Sequence, residues 1–185
     1  MTLLDLCSYL GLAAVGFITL NLLLGMLMSL RYSPVRHWPH RTINIFALHK
    51  ITAYIAVFFT FTHPLVLIFL KNPHFSVFDI AWPIHSYLQP KLNFAGATAL
   101  YLLGLVLASS LLRKQIGHPW WRKLHYLVFP AAALLLLHSI LTDPELKNGH
   151  PDLLDGGKIF VEAATIISAF AVAVRVRLKG RGLRA

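Results

Sequence analysis

The stretch LHKITAYIAVFFTFTHP, residues 48–64, decides how the rest of the chain is interpreted. It carries a histidine near each end, His49 and His63, and Lys50 is the only fully charged residue between them. Ionisable side chains deep in an apolar membrane segment are costly and usually functional. The stretch therefore predicts a membrane-spanning helix whose two histidines have a functional role.

On either side of this stretch, the chain has the composition of a membrane protein. Of its 185 residues, 57% are apolar and only 13% are charged, which is far from the balance of a soluble domain. Five apolar segments approach the roughly 20 residues that cross a bilayer, and they lie at 6–30, 51–70, 92–112, 124–142 and 159–174. We therefore expect one all-α domain, a bundle of about five transmembrane helices, the first retained rather than cleaved as a signal peptide.

The net charge of +10 follows the predicted helix boundaries, so it indicates topology and not nucleic-acid binding. Basic residues concentrate after the first helix, between the third and fourth, and after the fifth. Every acidic residue falls on the opposite side of the predicted membrane. Because basic loops stay in the cytoplasm, we expect the N-terminus outside and the C-terminus inside.

The segment from Lys71 to Lys91 is long for a tight connection and is rich in aromatic residues. Two interpretations stay open for it. It is either an interfacial lid over the outer end of the bundle or an ordinary loop with interfacial aromatics, which are Phe75, Phe78, Trp82 and Tyr87.

Two further histidines, His125 and His138, lie in the fourth apolar segment. A single span separates the second and fourth segments, so both run in the same direction. We therefore expect His49 to face His125, and His63 to face His138. Separations of 14 and 13 residues place the two pairs roughly 20 Å apart along the helix axes. Neutral imidazole is a good axial ligand for haem iron, and two such ligands favour electron transfer. The pattern predicts two b-type haems, one near each face.

Helical phase fits the second segment better than the fourth. At about 100° per residue, His63 returns to within roughly 40° of His49, whereas His138 ends about 140° away from His125. Pro130 lies between the latter two. It predicts a kink or a local rewinding of the helix that re-aims His138.

Any haem must be held without covalent bonds, because Cys7 is the only cysteine and excludes a Cys-x-x-Cys-His attachment site. Haem propionates are anionic and prefer cations at the ends of a bundle. At the inner end, the candidate cations are Arg41, Lys50, Arg122 and Lys123.

Residues 48–64, together with PWWRKLHYLVFPAAALLLLHSI at residues 119–140, resemble the ferric reductase-like transmembrane domain. This family includes NADPH oxidases, ferric and metalloreductases, and the haem-binding subunit of the bacterial periplasmic methionine sulfoxide reductase system. The resemblance is strongest over residues 41–142. It implies haem ligands at His49, His63, His125 and His138.

Two departures from the family pattern bear on function. Family members usually have six helices, with ligands on the third and fifth, whereas this sequence predicts five, with ligands on the second and fourth. Oxidases and ferric reductases carry a cytoplasmic flavin and nicotinamide domain, but no Gly-x-Gly-x-x-Gly motif occurs here. The resemblance therefore implies a small haem-binding subunit of the bacterial inner membrane, an oxidoreductase component. A separate reductase or quinol would supply its electrons, and an outer-face acceptor, such as a periplasmic protein, would receive them.

A different class of function would use the same histidines in a proton or metal-ion transporter. Against it, the predicted spans carry almost no carboxylates, and Glu162 lies near the edge of one. The terminal acceptor stays open between a protein, oxygen, ferric iron and a quinone.

Overall fold

The computed structural model describes residues 2–30, 44–86, 88–143 and 152–180, so Arg41 and Tyr87 lie outside the described residues. All regular structure in these ranges is helical. The α-helices are α1 (Leu3–Ser29), α2 (Ile45–Leu65), α3 (Val77–Ala81), α4 (Pro90–Leu111), α5 (Arg113–Ile116), α6 (His118–His125), α7 (Val128–Leu141) and α8 (Gly156–Gly180). Short 3₁₀ segments follow α2 at Val66–Phe69 and α3 at Pro83–His85.

Among the described residues, five helical segments are long and apolar enough to cross a membrane, which confirms the predicted number. They are Leu3–Ser29, Ile45–Phe69, Pro90–Leu111, His118–Leu141 and Gly156–Leu178. The fourth begins earlier than predicted because Pro119, in the first turn of α6, favours helix initiation. The fifth continues past residue 174 through Arg175 and Arg177.

The bundle is organised around α1, which packs along α2 on one side and along α8 on another, while α4 pairs with α7. Small and branched residues form the core where these helices meet, among them Val15, Ala56, Ala99 and Ala131. Ala99 and Ala131 are completely buried. Such small residues let neighbouring helices approach closely within a membrane.

Large apolar side chains cover the outside of the spans. Phe58, Phe61, Ile166 and Phe170 are each more than half exposed on the surface of the bundle. A soluble protein rarely displays such extensive apolar surface. These side chains fit contact with lipid.

The fourth span is interrupted between α6 and α7. Pro130 has no N–H to donate to the carbonyl of Tyr126, four residues earlier. The Phe129 N–H bonds to that carbonyl instead, over 3.2 Å. Such a three-residue bond turns the chain by about 20° more per residue than an α-helix does. The interruption therefore rotates His138 toward the face of His125, as the sequence predicted.

Between α2 and α4, residues 71–86 include α3 and the 3₁₀ turn at Pro83–His85, both of which contact α4. Ser76 caps the N-terminus of α3, because its hydroxyl accepts from the Asp79 N–H at 3.2 Å. Its hydroxyl and N–H in turn donate to the Asp79 carboxylate at 2.6 and 2.9 Å. The Ser76 hydroxyl and then its N–H hold the pKa of Asp79 below its ordinary value. Of the aromatic residues in this segment, Phe75 is buried, whereas Phe78 and Trp82 are exposed.

Lys158 joins α8 to the C-terminal end of α7. Its ammonium group donates to the carbonyls of Ser139, Ile140 and Thr142, at 2.7, 2.9 and 2.5 Å. A helix has no N–H groups of its own to pair with its last carbonyls, and its negative end attracts a cation. This explains how a lysine that is only 6% exposed is accommodated.

Replacing Lys158 with methionine should destabilise the bundle, because it removes all three hydrogen bonds. Each buried carbonyl left without a donor is expected to cost about 1–3 kcal/mol. Circular dichroism in detergent would measure the fall in thermal midpoint. Lys91→Met, an exposed lysine at the same end of the bundle, is the matched control. Equal losses in both variants would contradict the role of Lys158.

Candidate functional site

The four histidines of the second and fourth spans face one another as two pairs. The ring centroids of His49 and His125 are 6.3 Å apart, and those of His63 and His138 are 6.5 Å apart. The rings within the pairs are inclined at 68° and 69°. The structure thus brings together the residues that the sequence paired.

These separations agree with two imidazoles bound to one metal ion. An imidazole nitrogen binds a metal such as zinc at about 2.0–2.1 Å. Each atom of a five-membered ring with bonds of about 1.33 Å lies roughly 1.1 Å from the ring centre. Two ligands on opposite sides of one ion therefore have centroids roughly 6.3 Å apart. Each pair would therefore be spaced to hold one iron, such as that of a haem, between its two imidazoles.

Hydrogen bonds to main-chain carbonyls fix three of the four imidazoles. The Nδ1 atoms of His49, His63 and His138 lie 3.0, 2.7 and 2.8 Å from the carbonyl oxygens of Asn21, Cys7 and Leu92, respectively. A carbonyl only accepts, so each Nδ1 carries the proton. Each Nε2 therefore keeps its lone pair available for a metal.

A glycine follows each of these carbonyls by four residues. The pairs are Cys7 with Gly11, Asn21 with Gly25, and Leu92 with Gly96. Residues four apart lie on one helix face, so the missing Cβ leaves room for the imidazole beside the carbonyl. A Cβ on these glycines would come within 3.1–3.2 Å of the facing imidazole. We call each such pair a carbonyl–glycine cradle.

The role of these glycines was not predicted from the sequence, although the sequence contains one signal for it. Gly11 and Gly25 are 14 residues apart on α1, the same separation as His49 and His63 on α2. Two antiparallel helices in contact would place such residues opposite one another. A role for Asn21 was not predicted either. In the structure its side chain donates to the Thr52 hydroxyl at 2.9 Å, which links α1 to α2.

His125 is held differently. Its Nδ1 is buried and has no hydrogen-bond partner among the described residues. Its ring instead stacks on Trp121, with centroids 5.1 Å apart and planes inclined at 30°. Gly104 of α4 would meet nothing within 4 Å if it carried a Cβ.

Each pair borders a cavity. Phe75, Ile80 and Pro83 line one side of the cavity beside His63 and His138, so this part of the connection between α2 and α4 borders the cavity. Its polar lining includes Lys158 together with the carboxylates of Asp79, Asp143 and Asp155.

The cavity beside His49 and His125 is markedly basic. Its lining cations include Lys50, Arg113, Arg122 and Arg175. Lys50 and Arg122 were predicted from the sequence. Lys123 instead lies over the ring of Trp120, with Nζ 4.7 Å from the centroid. Arg41 lies outside the described residues.

Arg175 is one of the basic residues after the fifth predicted span, and from the sequence these residues indicated topology only. The structure brings Arg175 back over the cavity, where its Nε donates to the Ser29 hydroxyl at 3.0 Å. Its guanidinium carbon lies 5.2 Å from the centroid of the Phe129 ring. Nothing in the sequence indicates that α8 packs beside α1.

Comparison with known proteins agrees with the geometry. Residues 10–136 match the model of the ferric reductase like transmembrane component family. The chain belongs to this family. Ferric reductase-like domains generally bind haem and take part in transmembrane electron transfer. Comparisons of the chain with curated proteins and with solved structures found no match. The described residues hold no group of three or more His, Cys, Asp or Glu side chains able to hold a metal ion.

Alanine at a cradle glycine should weaken haem binding at the facing pair, because the new Cβ pushes the imidazole off its carbonyl. Gly25→Ala should affect the His49 pair, and Gly11→Ala or Gly96→Ala the His63 pair, each by on the order of tenfold. Haem content after gel filtration would measure this. Gly104→Ala, in open space, is the matched control, and it should retain haem. The role of the cradles would be refuted by equal haem loss in all four variants.

Proposed function

We propose that this ferric reductase-like chain is a di-haem b electron-transfer protein in which each histidine pair holds one haem without covalent attachment. The observation that carries the proposal is the centroid separation of 6.3 and 6.5 Å within the two pairs. Haem bound by two imidazoles supplies one-electron transfer without an open coordination position.

The positions of the pairs suit transfer across a membrane. His49 and His63 are 14 residues apart on α2, which corresponds to roughly 21 Å along the helix. The hydrocarbon core is about 30 Å thick. One pair therefore lies toward each end of the bundle, which divides the crossing into shorter steps.

The distribution of charge supports a direction for this transfer. Basic residues gather at the end of the bundle nearest His49 and His125, and they include Arg113, Lys114, Arg122, Lys123, Arg175 and Arg177. Carboxylates lie at the opposite end, including Asp5, Asp79, Asp143 and Asp155. By the positive-inside rule, the basic end faces the cytoplasm and the N-terminus lies outside. The membrane in this proposal is a bacterial inner membrane. Electrons then enter near His49 and leave near His63.

The donor in this proposal is a separate soluble reductase or a membrane quinol, and the acceptor is a protein at the outer face. The exposed cations Arg113, Lys114 and Lys123 give the inner end a surface complementary to an acidic donor protein. The acceptor would approach the opposite end of the bundle, near His63 and His138.

The two histidine pairs should lose their haems independently of each other. Alanine at His63 or His138 should remove one haem and leave the other, because the remaining pair keeps both of its ligands. A double variant within one pair should retain about one haem, and a double variant across pairs close to none. Haem stoichiometry, redox titration and electron transfer in vesicles would be measured for all four single variants. A protein in which His49 and His63 behaved as one unit would contradict the pairing.

Arg175 and Arg113 join Lys50 and Arg122 as proposed partners for the propionates of the inner haem, since all four line its cavity. Arg175→Gln should weaken retention of this haem by on the order of tenfold, the equivalent of one charge-assisted hydrogen bond. Arg177→Gln is the matched control, because Arg177 is an exposed residue two positions further along α8. Identical haem retention in the two variants would limit Arg175 to a structural or topological role.

A further inference from the structure

The histidines are held in two different ways, and the difference follows from the sequence of α4. On α1 the two cradles lie 14 residues apart. The same step along α4 leads from the Leu92 carbonyl to that of Val106, and from Gly96 to Ser110. A fourth cradle, for His125, would be expected at this position.

That cradle is blocked by the residues present. Ser110 has a Cβ where the other cradles have a glycine. The hydroxyls of Ser109 and Ser110 both donate to the Val106 carbonyl, at 2.9 and 2.8 Å. A carbonyl has two lone pairs, so this acceptor is already in use. The buried Nδ1 of His125 correspondingly lacks a partner among the described residues.

Trp121 lies where the cradle would have acted. It precedes His125 by one helical turn, and its ring lies against the imidazole, with the centroids 5.1 Å apart and the planes inclined at 30°. Its indole N–H donates to the Ser110 hydroxyl at 3.3 Å. The Arg113 guanidinium carbon lies 4.3 Å from the Trp121 centroid. The indole is thus itself held by neighbours on α4 and α5.

We infer that Trp121 is the positioning residue of His125, in place of a carbonyl–glycine cradle, and that His125 is the most weakly held of the four haem ligands. A stacked ring restrains the tilt of an imidazole. It does not raise the basicity of the ligating nitrogen, as a hydrogen bond from Nδ1–H does. The inference rests on the proposed function, since it takes His125 to be a ligand.

The test uses carbon monoxide, which binds ferrous haem where an axial position opens. Trp121→Leu removes the stacking ring, so carbon monoxide should displace His125 and bind up to half of the haem, one site of two. The unaltered protein should bind little. Trp121→Phe, which keeps an aromatic ring, should resemble the unaltered protein. Trp120→Leu, at a neighbouring residue that is 63% exposed, is the matched control.

Electron paramagnetic resonance of the ferric protein provides a second readout. Trp121→Leu should alter one of the two low-spin signals, and loss of that one haem with the other unchanged would support the inference equally. Retention of the His63–His138 haem shows that the bundle has folded. The inference is overturned if Trp121→Leu leaves the spectrum unchanged and binds no carbon monoxide, or if it loses both haems. It is also overturned if Trp121→Phe or Trp120→Leu has the same effect as Trp121→Leu. Absence of haem from the unaltered protein would instead refute the proposed function.

Discussion

The hydrogen bond from an imidazole Nδ1–H to a helix carbonyl, made beside a glycine, is the contact on which the site depends. It occurs twice between α1 and α2, and once between α4 and α7. Each instance fixes the proton on Nδ1, the rotation of the ring and the distance between two helices. In an apolar interior such a bond is electrostatically stronger than in water, because no solvent competes with it.

The fifth span completes the bundle through two cations near its opposite ends. Lys158 satisfies the terminal carbonyls of α7, and Arg175 reaches Ser29 at the end of α1. Each of them also lines one of the two cavities. A helix without any histidine therefore contributes a charge to both sites and holds the helices that surround them. This dual role explains why charged residues are tolerated within the last span.

The two histidine pairs have the same ligand types but differ in their surroundings. The His63–His138 pair is fixed by two cradles and borders a cavity that is also lined by acidic residues. The His49–His125 pair has one cradle, one aromatic stack and a basic cavity. Nearby cations and weaker donation from one ligand both act on the electronic state of a bound metal. Two pairs of the same residue type thus need not form equivalent sites.

The sequence by itself determined the number of spans, because bilayer thickness fixes helix length, and the pairing of His49 with His125 and of His63 with His138, because helical rise sets positions along parallel helices. The orientation of His138 does not follow from ideal helix geometry. It depends on the three-residue hydrogen bond from Phe129 to Tyr126 next to Pro130. Only the tertiary structure decided which imidazoles the cradle glycines face, that Arg175 lies over the inner cavity, and that the Nδ1 of His125 has no partner among the described residues. The physical reason is that periodicity describes one helix at a time, whereas these features exist where two helices touch.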